Sequence, residues 1–377
     1  MNISGGLTMA GRFNLISTAP DAYNVNYLVV AGGGGGGLYG GGGGGGTQFG
    51  STTLLSGTSY AVTVGAGGPS AATGTSFSGI DCNGGDSSII GTNTFGKLVS
   101  TNIVSIGGGS GPTTYAGRGG GGSYNNPSNG GSGGGQSATT GSLPGLGIAG
   151  QGNDGGIKGN GGTGGAGGGA GSPGYSAGSG AGLNQLRGGD GIVNSTLGTM
   201  RSINSLSIAL SASITFATDT ILDVSSSSNQ PVRIAYDEYN YMDGLVIGYV
   251  AGSTPSLTVK IYVIIGSGTY SSWTVNFLYG AGGSQAIGNG VTNPASPGGG
   301  SGSPVGSAAG SGVTTFGGGG GACQSTTVAA GSGGSGVVII SYQNATQRAA
   351  GGTVSSYISN GLKYWVHKFI ASGTYVA

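Results

Sequence analysis

Charged side chains make up only 6% of the 377 residues, and the formal net charge is +1. The few basic residues are scattered, which argues against the phosphate-tracking stripe that nucleic-acid binding requires. No apolar run approaches the roughly 20 residues of a membrane span. No basic start leads into an apolar stretch, so no secretory signal is expected, and neither is membrane insertion. The chain has one histidine, His367. It has no acid close by in sequence, so it reads as a solvated strand histidine rather than a catalytic base.

Cys82 and Cys323 are the only cysteines, too few for a zinc site without more histidine. One sits in each half of a glycine-loaded field. A bridge between the halves is conceivable, but manufacture in a cytoplasm favours free thiols. Acid is equally scarce, with one Glu and nine Asp. Half of these ten lie between Asp219 and Asp243, including Asp237, Glu238 and Asp243, without the spacing of a calcium loop, and they read as solvated loop acids. No convincing carboxylate pair suits glycoside cleavage, so a polysaccharide depolymerase is the weakest function class. No G-x-G-x-x-G run opens a helix after a strand, so nucleotide binding is unsupported, and no cofactor is expected.

Glycine is what the chain has, at 95 residues. Each interior glycine disfavours helix by roughly 0.5–1 kcal/mol relative to alanine. A fraction of 36% hydrophobic residues is nevertheless too apolar for a solvated, highly charged disordered chain. Eleven prolines and broken Gly-X-Y periods exclude collagen. The solution left is the extended left-handed helix of the polyproline II type, about three residues per turn. Without Cβ atoms, and with their N–H groups intact, such rods can pack closely and hydrogen-bond sideways. A flexible Gly/Ser linker is the alternative, but short apolar strands recur through the field and linkers need none.

The field begins where Tyr27–Val30 runs into glycine at 31–46, and ends where glycine leads into Val337–Tyr342. Other short strands are expected at Arg12–Ile16, Tyr60–Val64, Ser87–Ile90 and Ile103–Ile106, with a turn over Gln151–Gly156. Ordinary composition interrupts the field at 196–280. There Ser205–Phe216 forms one alternating strand or a hairpin, followed by Val232–Tyr236, Leu245–Ala251, Leu257–Ile265 and Trp273–Tyr279. Five or six short antiparallel strands predict a small sandwich or barrel with its own core, able to fold alone. Tyr364–Ile370 and Thr374–Val376, joined by Ala371-Ser372-Gly373, read as a closing hairpin.

The expected fold is therefore all-β plus a polyglycine II-type helix bundle, with little or no α-helix and an inserted small β-sandwich or barrel. Its divisions are an attachment segment at 1–20, glycine-rich parts at 21–195 and 281–346, the inserted β domain at 196–280, and a C-terminal β-hairpin at 347–377.

The layout YLVVAGGGGGG, then YAVTVGAGG, then GGSGVVIISY, with the terminal KYWVHKFIASGTYVA, resembles the glycine-rich domains of bacteriophage tail-fibre and adhesin proteins. The segments SLSI, SITF, PVRIA, NYMDGLVIGYVAGSTPSLTVKIYV and GSGTYSSWTVNF are similar to a small β module of phage structural proteins. Here that module lies inside the glycine field. The resemblance implies a non-enzymatic virion protein assembled in the host cytoplasm, a tail fibre or receptor-binding adhesin. Homotrimers, other virion proteins and a host receptor (a glycan or outer-membrane protein) are the implied partners. A capsid decoration protein, head fibre or tail-collar component is the alternative. Among the 18 tyrosines, Tyr39, Tyr115, Tyr124 and Tyr175 stand alone on glycine or serine loops. A flat ring with a polar tip suits receptor contact, and filling gaps between glycine rods accounts for the same residues.

Overall fold

The computed structural model describes residues 21–70, 82–91, 101–112, 127–138, 142–159, 163–177, 187–209, 213–219, 229–250, 252–286, 295–325 and 327–377. The expected strand Arg12–Ile16 and the attachment segment 1–20 lie outside them. Among the described residues there is no helix, and the strands are β1 (Ala22–Val30), β2 (Thr47–Leu55), β3 (Ser59–Thr63), β4 (Ser87–Gly91), β5 (Thr101–Ser105), β6 (Ile192–Asn194), β7 (Met200–Ser202), β8 (Leu206–Ser207), β9 (Ile214–Ala217), β10 (Gln230–Ala235), β11 (Tyr241–Val250), β12 (Ser256–Ile265), β13 (Thr269–Tyr270), β14 (Trp273–Tyr279), β15 (Val337–Gln343), β16 (Thr353–Ser359), β17 (Leu362–Phe369) and β18 (Gly373–Val376).

These strands build a five-stranded sheet in the order β16-β17-β15-β1-β2 and a four-stranded sheet in the order β18-β3-β4-β5. A seven-stranded sheet runs β6-β14-β10-β11-β12-β9, with β7 also on β14, and β13 pairs with β8. All of these sheets are open, so none is the barrel that the sequence allowed. Ser205–Phe216 is neither one strand nor a hairpin on itself. Its first part, β8, pairs with β13, and its last part, β9, pairs with β12.

The five-stranded sheet is the middle layer. From β1 and β15, Val25, Val29, Val338, Ile340 and Tyr342 join Tyr60, Val62, Ile89 and Tyr375 of the four-stranded sheet in one core. The alternate residues Leu28, Val30, Val337 and Ile339 join Met200, Val232, Leu257, Trp273 and Phe277 in another. Burial on both faces explains why YLVV and VVII are unbroken apolar runs; a half-solvated antiparallel strand would alternate. It also corrects the expectation of a separate core for 196–280, because that core is continuous with the middle layer. Trp273, Val275, Phe277 and Tyr279 do share one buried side of β14, as their alternation requires.

The C-terminal hairpin falls earlier than the sequence suggested. β16 and β17 pair around Asn360-Gly361, both with positive φ (51° and 76°), the two-residue turn whose twist matches its strands. β18 leaves that sheet and pairs with β3 instead. The turn expected at 151–156 also lies earlier: Gln151 and Gly152 N–H donate to Ile148 O, with Gly150 at φ 80°.

His367, on β17, is fully buried and not solvated. It lies 2.7 Å from the Gly351 carbonyl through Nδ1, which therefore carries the proton, and Nε2 faces the Tyr342 hydroxyl at 3.4 Å. Burial lowers its pKa below the usual 6.5. The folded state thus resists protonation more than the unfolded chain does. The stability from neutral His367 is fully present above pH about 6.5 and is lost as pH falls toward the lowered folded value. Urea midpoints should fall over that interval, and His367→Gln should flatten the slope. An unchanged slope in the variant would remove His367 as its source.

Beyond the strands, the glycine tracts bond to one another with a period of three. N–H groups of Ala31, Gly34 and Gly37 donate to the carbonyls of Gly46, Gly43 and Gly40. Those of Gly32 and Gly35 donate to Gly85 and Cys82, and those of Gly33 and Gly36 to Gly334 and Gly331. In return, the carbonyls of Gly32 and Gly35 accept from Gly108 and Gly111, those of Gly34 and Gly37 from Gly320 and Cys323, and that of Gly33 from Gly68. Residues 31–37 are thereby surrounded by six other tracts. Residues 40–46 have the same environment: they donate to 165–168, 317–320 and 106–109, and accept from 31–37, 132–135 and Gly283. Every buried backbone group so paired avoids the penalty of roughly 1–3 kcal/mol that an orphan would carry.

Candidate functional site

The tracts at 31–37, 106–112 and 280–286 leave strand ends and those at 40–46, 187–191 and 331–336 lead into them, so the joined end is a base at the sheets and the reversal between Gly37 and Gly40 lies away from it. Val30 continues into Ala31, and Gly46 returns into Thr47. The chain reverses at Leu38-Tyr39, where Gly37 N–H donates to Gly40 O at 3.0 Å.

That reversal forms the apex site. Leu38 N–H donates to Pro112 O at 2.9 Å and Tyr39 N–H to Cys323 O at 2.8 Å, while Tyr39 O accepts from Ala286 N–H at 3.2 Å. Leu38, Cys323 and Ala330 are buried together, with Val328 and Tyr39 packed against them. Tyr39 holds φ at 66°, a left-handed conformation that L-residues avoid at a cost of roughly 1–2 kcal/mol. Three tracts therefore clamp a strained backbone whose side chain is half-buried at the tip. Backbone strain of this kind concentrates at functional positions.

The other sequence candidates are distributed differently. Tyr175 is half-buried on a flanking tract, where its carbonyl accepts from Ala166 N–H. Its hydroxyl accepts from Arg187 at 2.9 Å, and the same guanidinium pairs with Asp190 at 2.7 Å. The polar tip of Tyr175 is thus already engaged within the protein. Tyr115 and Tyr124 lie outside the described residues.

Cys82 and Cys323 are both buried, and no disulfide joins them. Burial raises the Cys323 pKa, so the thiol stays protonated and weakly nucleophilic. Among the described residues no group of three His, Cys, Asp or Glu is placed to hold a metal ion.

Sequence reasoning missed the ion pair that stitches β10 to β11. Arg233 and Asp243 stand directly opposite in the register. The guanidinium donates through Nε and Nη2 to the two carboxylate oxygens, each at 2.7 Å. The Arg233 guanidinium carbon also lies 3.7 Å from the Tyr241 ring centroid. Asp243 is 1% exposed, so it is no solvated loop acid. Burial pushes its carboxyl upward, and the arginine opposes that shift. The signal available in sequence was the strand alternation of YMDGLVIGYV, which places Asp243 within a strand.

Comparison with curated proteins and with solved structures found no match. The glycine-rich domain family matches residues 8–206, more than half of the chain and the part that contains β1 to β7 and most of the glycine tracts described above. The chain belongs to the glycine-rich domain family.

Proposed function

We propose that the chain is a non-enzymatic bacteriophage virion protein, a tail fibre or receptor-binding adhesin that displays loops on a rigid scaffold of polyglycine II helices. The three-residue period, with six neighbours around residues 31–37, supports the polyglycine II reading. On this reading, 196–280 is a β unit inserted into the glycine-rich part, and 1–20 faces the particle. A homotrimer joined to other virion proteins would multiply weak contacts into useful avidity.

One observation carries the display reading: separate stretches of chain leave the bundle at the same end as Tyr39. Pro112, which leads to 113–126, bonds to Leu38, and Ala286, which leads to 287–294, bonds to Tyr39. Cys82, at the end of 71–81, bonds to Gly35 near the same end. The described residues that flank 71–81, 113–126 and 287–294 therefore lie near one end, and on this reading a glycan or outer-membrane protein is met there.

Phage carrying Tyr39→Gly, or a short Gly-Ser replacement of 113–126, should assemble normally and adsorb to host cells roughly tenfold less. Glycine at position 39 also relieves the left-handed strain, so a folding defect is not the expected cause of the loss. Normal adsorption by both variants would overturn loop display. Purified protein that binds capsids or tail cores but not cells would favour a decoration, head-fibre or collar role.

A further inference from the structure

A groove at the opposite end of the molecule belongs to neither the glycine bundle nor its apex. One wall is the tip of the β16–β17 hairpin, and the other is the chain around β7 and the residue that follows β9 closely, Asp219. The β15–β17 register runs from Val338↔Phe369 near the glycine tracts to Gln343↔Tyr364 far from them, which places the hairpin tip beyond the base. The groove encloses about 880 Å³, within the size range of small-ligand sites.

Its lining is polar with one flat aromatic surface. Tyr357 and Tyr364 are cross-strand partners whose rings stack at 5.2 Å with only 8° between their planes. Tyr357 also packs against the main core, which fixes the stack in place. On the facing wall, Arg201 N–H donates to Asp219 Oδ1 at 2.7 Å, and Asp219 N–H donates back to Arg201 O at 2.8 Å. These reciprocal bonds hold both residues at the groove. Asp219 Oδ2 and the Arg201 guanidinium have no hydrogen-bond or ion-pair partner among the described residues. Lys363 lines the groove at the hairpin tip, but its ammonium lies 4.2 Å from the Trp365 ring, on the sheet face opposite the tyrosine pair.

We propose that this groove binds an acidic oligosaccharide. The tyrosine pair offers a flat face to the C–H surface of a pyranose ring, as amphipathic aromatics do at half-wet sites. Arg201 supplies charge-assisted donors for a sugar carboxylate. Asp219 Oδ2 accepts from a ring hydroxyl, a role that a purely anion-binding patch would not need. A sugar carboxylate pairs with the Arg201 guanidinium, which a neutral sugar leaves unmatched. An acidic peptide would satisfy the guanidinium but leave the stacked rings and Asp219 Oδ2 without complementary groups. The inference stands independently of loop display at the apex.

The test uses the full chain and three probes in calorimetric titration: trigalacturonate, the neutral maltotriose and the acidic peptide triglutamate. Trigalacturonate should bind at least about tenfold more tightly than either control. Arg201→Gln should weaken it by about tenfold or more without shifting the melting temperature. Tyr364→Ala should also lose binding; if that variant is unfolded, Tyr364→Phe should fold and keep binding, because the stack needs the ring and not the hydroxyl. No heat with trigalacturonate up to about 10 mM overturns the proposal. So does equal affinity for triglutamate, which would mark a protein-docking patch, and so does unchanged affinity in Arg201→Gln.

Discussion

Gly42→Ala is expected to destabilise the protein by about 3 kcal/mol, although it adds a single methyl group. A Cβ at Gly42 would fall closer than 3.0 Å to the backbone of Gly34 and Gly35, where no flexible side chain can yield. Separating those tracts strains or breaks the Gly34 N–H to Gly43 O bond of 2.8 Å, next to the Gly42 N–H to Gly320 O bond of 2.9 Å. Overpacking in a filled interior costs roughly 1–3 kcal/mol, and each lost hydrogen bond adds about 0.5–1.5. Alanine also lowers the entropy of the unfolded chain, which offsets only about 0.4–1 kcal/mol. The clash therefore wins.

Gly57→Ala is the matched control. Gly57 has open space around its Cβ position but holds φ at 78°, so alanine there should cost only about 1–2 kcal/mol through the left-handed conformation. Thermal melting distinguishes the two, with Gly42→Ala expected roughly 4 °C below wild type and Gly57→Ala about half that. If both variants melt together, close tract packing contributes no more than an ordinary turn.

That glycine tracts pair their backbone groups with one another was legible in the sequence, because glycine keeps its N–H and lacks a Cβ. Runs such as 32–37 and 40–46 exclude helix and collagen, and they leave few ways to pair buried N–H groups. Which tract bonds to which was not legible. Gly33 has the same side chain as Gly34, yet one donates to Gly334 and the other to Gly43. Partner choice is set by the strands at the base, since β15 and β2 both pair with β1 and deliver 331–336 and 40–46 beside residues 31–37.

Two strands show how local sequence yields to tertiary pairing. β2, TQFGSTTLL, carries little strand signal, with polar residues through its length and a glycine in its middle. It forms because β1 supplies a full nine-residue ladder. Proximity in sequence favours β17 as the partner of β18, but burial of the Tyr375 ring in the core beneath β3 decides the pairing. Among the site residues, Tyr39 was singled out for its isolation between glycine runs, but its positive φ and triple clamp required coordinates. The groove near Arg201 was invisible for a different reason. Its walls are more than 130 residues apart in sequence, and neither carries a motif by itself.

Asp243→Asn should be the most damaging substitution in the seven-stranded sheet, at about 3–5 kcal/mol. The variant keeps the shape of the side chain and removes its charge. Arg233 would then remain partly buried between β10 and the Tyr241 ring without a counterion. The opposite outcome is expected when both charges go. Arg233→Met with Asp243→Leu removes two desolvation costs together and should restore stability to within about 1 kcal/mol of wild type, since a buried pair seldom outweighs well-packed apolar groups. Denaturant titration followed by Trp273 fluorescence reports on this sheet directly, because Trp273 lies in β14, whose Val275 and Thr274 pair with β10. A single-site loss below about 1 kcal/mol would mean that water reaches Arg233 in the variant. A double variant as unstable as the single would mean that β10 and β11 need the ion pair to hold register, and not merely to neutralise each other.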